Sequence, residues 1–161
     1  MRFHATRTAF LRILGLSALL LALLTHGPTP LQAQGNGADF KDPLNGAPLT
    51  LPLKPGETET PVLQKFKATG VNGYRGDAQA LLRGQALYEQ WCQVCHNADA
   101  SGKMGPALIG KTHIYPQTAS DAGMFSIIYV GATGAMQPFS KRDISQDEIL
   151  QVIAYVRSLD R

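Results

Sequence analysis

Trp91-Cys92-Gln93-Val94-Cys95-His96 is the stretch around which the rest of the chain is organised. Two cysteines two residues apart, followed at once by a histidine, form the C-x-x-C-H pattern by which a c-type haem is attached. On a helix, Cys92, Cys95 and His96 stand at i, i+3 and i+4. One face then offers two thiols to the haem vinyl groups and an imidazole to the iron. A thioredoxin-like pair would open a helix directly after a buried strand, whereas Gly84 to Trp91 is helical in pattern. A zinc site drawing on Cys92, Cys95, His96 and His113 would have to place the adjacent residues Cys95 and His96 on one tetrahedral centre.

Upstream, residues 1–33 read as a processing segment. Arg2, Arg7 and Arg12 form a basic start, Ile13 to Leu24 is almost wholly apolar, and Leu31-Gln32-Ala33 ends on a small residue suited to cleavage. The apolar run falls short of the roughly 20 residues needed to span a bilayer, so an exported, periplasmic protein without a permanent membrane anchor is expected. The whole chain has 15 basic and 12 acidic residues. Its three N-terminal arginines leave with the segment, so the mature chain is formally neutral. The pI near 9.0 therefore describes the precursor and gives no support for nucleic-acid binding. The chain has two cysteines, both in the motif, so none remains for a disulfide and the haem must supply the cross-link.

The remaining chain has the length of one domain. Residues 34–75 read as an N-terminal extension and 76–161 as the haem domain. Asn45-Gly46 is the strongest turn signal of the extension, and Phe40 with Leu49 to Leu53 suggests a short hairpin that prolines confine to an edge. Thr60, Pro61 and Gly70 delimit a short helix with Val62, Leu63 and Phe66 on one face. A longer helix is expected from about Asp77 to Cys95, with the haem motif at its far end. Ser120 and Asp121 start another that stops at Gly131. Ser145 and Glu148 form a capping box before the apolar stripe Ile149, Val152, Ile153, Val156 and Leu159. Gly84 and Tyr88 on the first long helix, with Val152 and Tyr155 on the last, allow the two to cross closely.

The Gly105-Pro106 pair marks a loop after the motif. A backbone carbonyl there, assigned to Pro106, suits the free ring N–H of His96 and would fix its tautomer on iron. For the sixth ligand the candidates are Met104, Met124, Met136 and His113. Met104 follows His96 by a reach of roughly 28 Å at full extension and must turn around the haem edge within it. Met124 lies in an apolar helical pattern where methionine is core filler. Met136 sits in a loop between Gly134 and Pro138, free to approach iron, and is taken as the ligand. No surplus of His, Arg or Glu near either ligand suggests a haem enzyme or sensor with an open sixth position.

Taken together, Asp39-Phe40 through Tyr74, Gly84 to Tyr88, the Cys92 to His96 motif, Gly102 to Pro106, Tyr115-Pro116, Gly123-Met124-Phe125 and Gly131 to Pro138 resemble the cytochrome c-L family. The resemblance covers nearly all of the mature chain. It implies an all-α class I cytochrome c fold around one covalent haem c, with an N-terminal extension. It also implies a periplasmic one-electron carrier, not an enzyme, that accepts electrons from a PQQ-containing methanol or related alcohol dehydrogenase. The electrons would pass to a downstream c-type cytochrome or oxidase. A calcium ion near the haem is a further implication, with no ligands assigned. The chain departs from the family at Thr112-His113-Ile114-Tyr115-Pro116, where a Tyr-Trp-Thr-Tyr-Pro run is usual, and at Ala135-Met136-Gln137-Pro138 in place of Met-Met-Gly-Pro. A lost Trp near the haem edge leaves open a different quinoprotein dehydrogenase, or the generic reading of a soluble cytochrome with another partner.

Overall fold

The computed structural model describes residues 38–160, and the processing segment lies outside them. The described elements are helices: α1 (Pro61–Thr69), α2 (Ala78–Trp91), the single turn α3 (Gln93–His96), α4 (Asp121–Val130) and α5 (Gln146–Leu159), with 3-10 turns at Pro116–Ala119 and Phe139–Lys141. Each longer helix starts on a side-chain cap that satisfies a first-turn N–H. Thr60 accepts from Leu63 N, Asp77 from Ala80 N, Ser120 from Gly123 N, and Ser145 from Glu148 N within a complete capping box. Gly70 closes α1 at φ 72°, a conformation glycine adopts without strain.

Two expectations are corrected. The helix carrying the motif is not continuous to Cys95. It ends at Trp91, the backbone opens at Cys92 (φ −115°), and Cys92 O then accepts from Cys95 N and His96 N to start a separate turn. The face shared by Cys92, Cys95 and His96 therefore belongs to that turn. The expected hairpin is a lone bridge between Lys41 and Pro48. Pro48 and Pro52 have no N–H to extend a ladder, so the chain runs on extended.

α2 and α5 make the main helix pair. A β-carbon on Gly84 would fall 2.1 Å from the Gln151 carbonyl oxygen, so only glycine lets the two backbones meet there. One turn further, the rings of Tyr88 and Tyr155 lie 5.5 Å apart. The extension is part of the same core. Phe40 packs on Phe66 and Phe125, Leu63 and Phe66 are fully buried, and Asn72 donates to Leu150 O at 2.7 Å. Tyr74 donates to the buried carboxylate of Asp147, which also accepts from Thr60. Arg75 and Arg157 converge on Asp121, joining the start of α2 to α4 and α5.

A haem-type cavity and its walls

A cavity of about 520 Å³ opens between α2, α3, α4, α5 and the loops that join them. Its volume is in the range of a small-molecule or cofactor site. Tyr88, Met124, Ile127, Ile128, Val152 and Val156 give it an apolar wall. Cys92, Cys95, His96, Pro106 and Met136 all reach it, and so do Met104 and His113. The structure thus brings every candidate named from the sequence to one place. Among the described residues, no group of three or more His, Cys, Asp or Glu could hold a metal ion.

His96 is the most constrained of these residues. Its Nδ1 lies 2.8 Å from Pro106 O, so with the proton on Nδ1 the ring donates to that carbonyl and Nε2 keeps its lone pair. The loop behind it is bonded back to the motif. Gly102 N donates to His96 O at 3.0 Å, and Gly105 N to Cys95 O at 2.8 Å. Two non-glycine residues, Asn97 at φ 67° and Ala100 at φ 61°, take left-handed backbone to make this fold-back. Tyr88 OH holds Asn97 O at 2.7 Å, which fixes the far end of α2 to the turn after His96. Gly105 bears on the ring as well, although the sequence marked it only as half of a loop signal. A β-carbon there would come 2.6 Å from His96 Cε1, so the loop lies flat against the imidazole.

Cys92 and Cys95 are free thiols at the cavity wall. Burial, and then the neighbouring Cys95, pushes the Cys92 thiol up to about 12, so little thiolate forms at neutral pH. Trp91, beside them, packs edge-on against Phe139, and its indole N–H is buried with no partner among the described residues.

Met136 lies in the Gly131–Pro138 loop, where Met136 O accepts from Ala132 N at 3.1 Å. Gly131 has φ 86°, and a β-carbon there would meet Met136 O at 2.7 Å, so the chain needs glycine to turn this tightly. Tyr115 OH meets Thr133 Oγ1 at 2.7 Å and ties this loop to the Thr112–Pro116 segment. Met104, by contrast, stands 75% exposed on the loop already bonded to Cys95 and His96. Met124 is buried within α4.

This donor set fits a covalent haem. It offers two free thiols at C-x-x-C spacing, an imidazole whose distal nitrogen is left for a metal, a thioether in a loop, and an apolar wall. The flat approach of Gly105 to the imidazole fits a ring held in one orientation.

Comparison with known proteins agrees with the geometry. Residues 79–156 match the family described as cytochrome C oxidase, cbb3-type, subunit III. The chain is 36% identical to cytochrome c-L of Methylorubrum extorquens over 148 residues, which is 91% of this chain and 74% of that protein. It is 28% identical to a cytochrome c-553-like protein of Synechocystis over 85 residues, 53% of this chain and 71% of that one. The crystal structure of cytochrome cL from the marine methylotroph Methylophaga aminisulfidivorans superposes with a TM-score of 0.71 at 37% identity, covering 74% of this chain and 79% of that one. That of cytochrome cL from Hyphomicrobium denitrificans gives 0.69 at 31% identity, covering 78% and 75%.

Proposed function

Because the chain belongs to the cytochrome c-L family and is a c-type cytochrome, an electron carrier rather than an enzyme, we propose that it takes electrons from a PQQ-containing methanol or related alcohol dehydrogenase. It works in the periplasm, after export by the segment 1–33, and hands the electrons to a downstream c-type cytochrome or oxidase. Cys92 and Cys95 would hold one haem covalently through their thiols, and His96 Nε2 and Met136 Sδ would be the protein's ligands to its iron. When bound, the haem supplies a one-electron centre whose iron alternates between ferrous and ferric.

The chain's own contributions follow from the walls of the cavity. Pro106 O, as acceptor of the Nδ1 proton, holds the imidazole in one tautomer and orientation, so little rearrangement accompanies a change of charge at the metal. The apolar wall excludes water, and two protein ligands leave no position for substrate. The single observation that supports Met136 over Met104 is the bonding of the 102–106 loop to Cys95 and His96, which keeps Met104 on the histidine's side.

The test has two parts. The ferric protein should show the weak red-end sulfur-to-iron absorption band, and Met136→Ala should abolish it; survival of the band there and its loss in Met104→Ala would reverse the assignment. Stopped-flow mixing with a purified PQQ methanol dehydrogenase should then reduce the wild-type haem. Failure with any such dehydrogenase would favour the generic carrier with another partner.

A further inference from the structure

We propose that Lys54, in the N-terminal extension and far from the haem motif in sequence, is a positioning residue for the sixth iron ligand. The proposal rests on the reading of Met136 as that ligand. The loop carrying Met136 has two ends. At the first, Gly131 and Ala132 fold against Met136 O as α4 stops. At the second, the chain passes through the 3-10 turn Phe139–Lys141 and then Arg142, Asp143 and Ile144 before α5 begins. No helix or strand holds that second end; Arg142 and Asp143 are exposed there and Ile144 is buried.

Lys54 binds that end of the loop. Its half-buried ammonium donates to Arg142 O at 2.8 Å and also to Ile144 O. A cation on two carbonyls makes stronger hydrogen bonds than a neutral donor would. Lys54 is itself held in place. Its backbone N–H donates to Glu57 Oε2 at 2.8 Å, and the other oxygen of the same carboxylate accepts from Gln146 N in the first turn of α5. Gln146 is buried and donates through Nε2 to Pro52 O at 2.8 Å. Residues 52–57 thus form a bracket that grips the loop's exit and the start of the last helix, with Lys54 as its only contact to the loop carbonyls among the described residues. Phe139 and Arg142 of the gripped segment also reach the cavity wall, so the grip extends to the haem pocket.

Release of the bracket frees the exit of the loop and makes it easier for Met136 to leave the iron. The readout is replacement of the thioether by added imidazole in the ferric holoprotein at pH 7, followed by loss of the red-end band. Lys54→Met, which keeps the apolar stem, should tighten apparent imidazole binding roughly tenfold, a shift of about 1.4 kcal/mol, in line with loss of a charge-assisted contact. Lys54→Arg, with cationic donors retained, should restore most of the wild-type affinity. Lys65→Met on the exposed side of α1 should leave it unchanged. A purely structural role is tested by Phe40→Leu, which weakens the core away from the loop; it should lower the melting temperature without changing imidazole affinity. Unchanged imidazole affinity in Lys54→Met, or an equal change in Phe40→Leu, overturns the proposal. A wild-type spectrum with no sulfur band overturns the Met136 assignment, and the Lys54 role with it.

Discussion

Gly84→Ala is the sharpest test of how the helix leading into the haem motif is held. The new methyl would lie 2.1 Å from Gln151 O and 2.6 Å from Gln151 C, and 3.0 Å from Tyr155 Cβ. An ordinary carbon–oxygen contact is about 3.3 Å or more, so α2 and α5 would have to part by about 1 Å. The obstacle is backbone of a capped helix, which cannot rotate aside as a long side chain would. The cost therefore belongs at or above the upper end of the 1–3 kcal/mol typical of overpacking, at about 4 kcal/mol. Alanine returns about 1 kcal/mol through its better helix propensity. A net loss of about 3 kcal/mol should lower the melting temperature of a domain this size by about 10 °C. Thermal melting of the holoprotein, followed in parallel by far-ultraviolet circular dichroism and the Soret band, gives the number. Ala86→Gly, on the exposed side of the same helix, should cost only about 1 kcal/mol. A Gly84→Ala protein that melts within about 2 °C of wild type, less than 1 kcal/mol by the same scaling, would refute the close crossing.

Two further outcomes concern the site and its support. Gly105→Ala should push the imidazole off Pro106 O; losing a hydrogen bond of about 1 kcal/mol that favours the ferric state should raise the reduction potential by roughly 40 mV, which redox titration measures. Burial works against the Asp121 carboxylate, but hydrogen bonds from Arg75 and Arg157 outweigh it and hold its pKa below the usual range. Its stabilising effect is therefore present above the unfolded value of roughly 3.9 and fades as pH falls through the lower folded value. Asp121→Asn should cost about 3 kcal/mol at pH 7 and flatten the acid limb of a stability-versus-pH curve, as followed by urea unfolding.

What the sequence made legible was local. The caps at Thr60, Ser120 and Ser145 each depend on side chains within three residues of the N–H groups they satisfy, so those helix starts could be read directly. The Gly84 crossing was also readable, because a glycine among helix formers has a packing reason. The break at Cys92 was not, since the helix expected from about Asp77 to Cys95 carries no breaker there and the backbone opens only at one residue. The fold-back around His96 escaped for a different reason. It depends on Asn97 and Ala100 in left-handed backbone, and nothing in the identity of alanine announces that conformation. The bracket on the Met136 loop joins residues about ninety apart, and no periodicity encodes such a contact.

The extension shows most clearly how far local reading reaches. Its Gly- and Pro-rich composition suggests an arm added to a finished haem domain, and deleting it would then be a clean test of whether it shapes the dehydrogenase dock. The packing argues otherwise. Phe40, Leu63 and Phe66 all come from this stretch, all are buried in the common core, and Phe66 lies 5.1 Å from Phe125 of α4. Burial of each such side chain is worth about 2 kcal/mol, and the cavity left on removal adds to that. Three of them account for about 6 kcal/mol, the size of a whole domain's net stability at the lower end of the usual range. A chain starting at Gly76 should therefore lose its cooperative melt, even with haem attached. Slow reduction of it would say nothing about docking. The docking role is better tested on the exposed face, by substituting Leu44 or Leu53 with a charged residue in the intact chain and comparing reduction by the PQQ enzyme at an unchanged melting temperature. A truncated protein with a cooperative melt and a native Soret band would show that the haem domain stands alone and would restore the arm to a peripheral role.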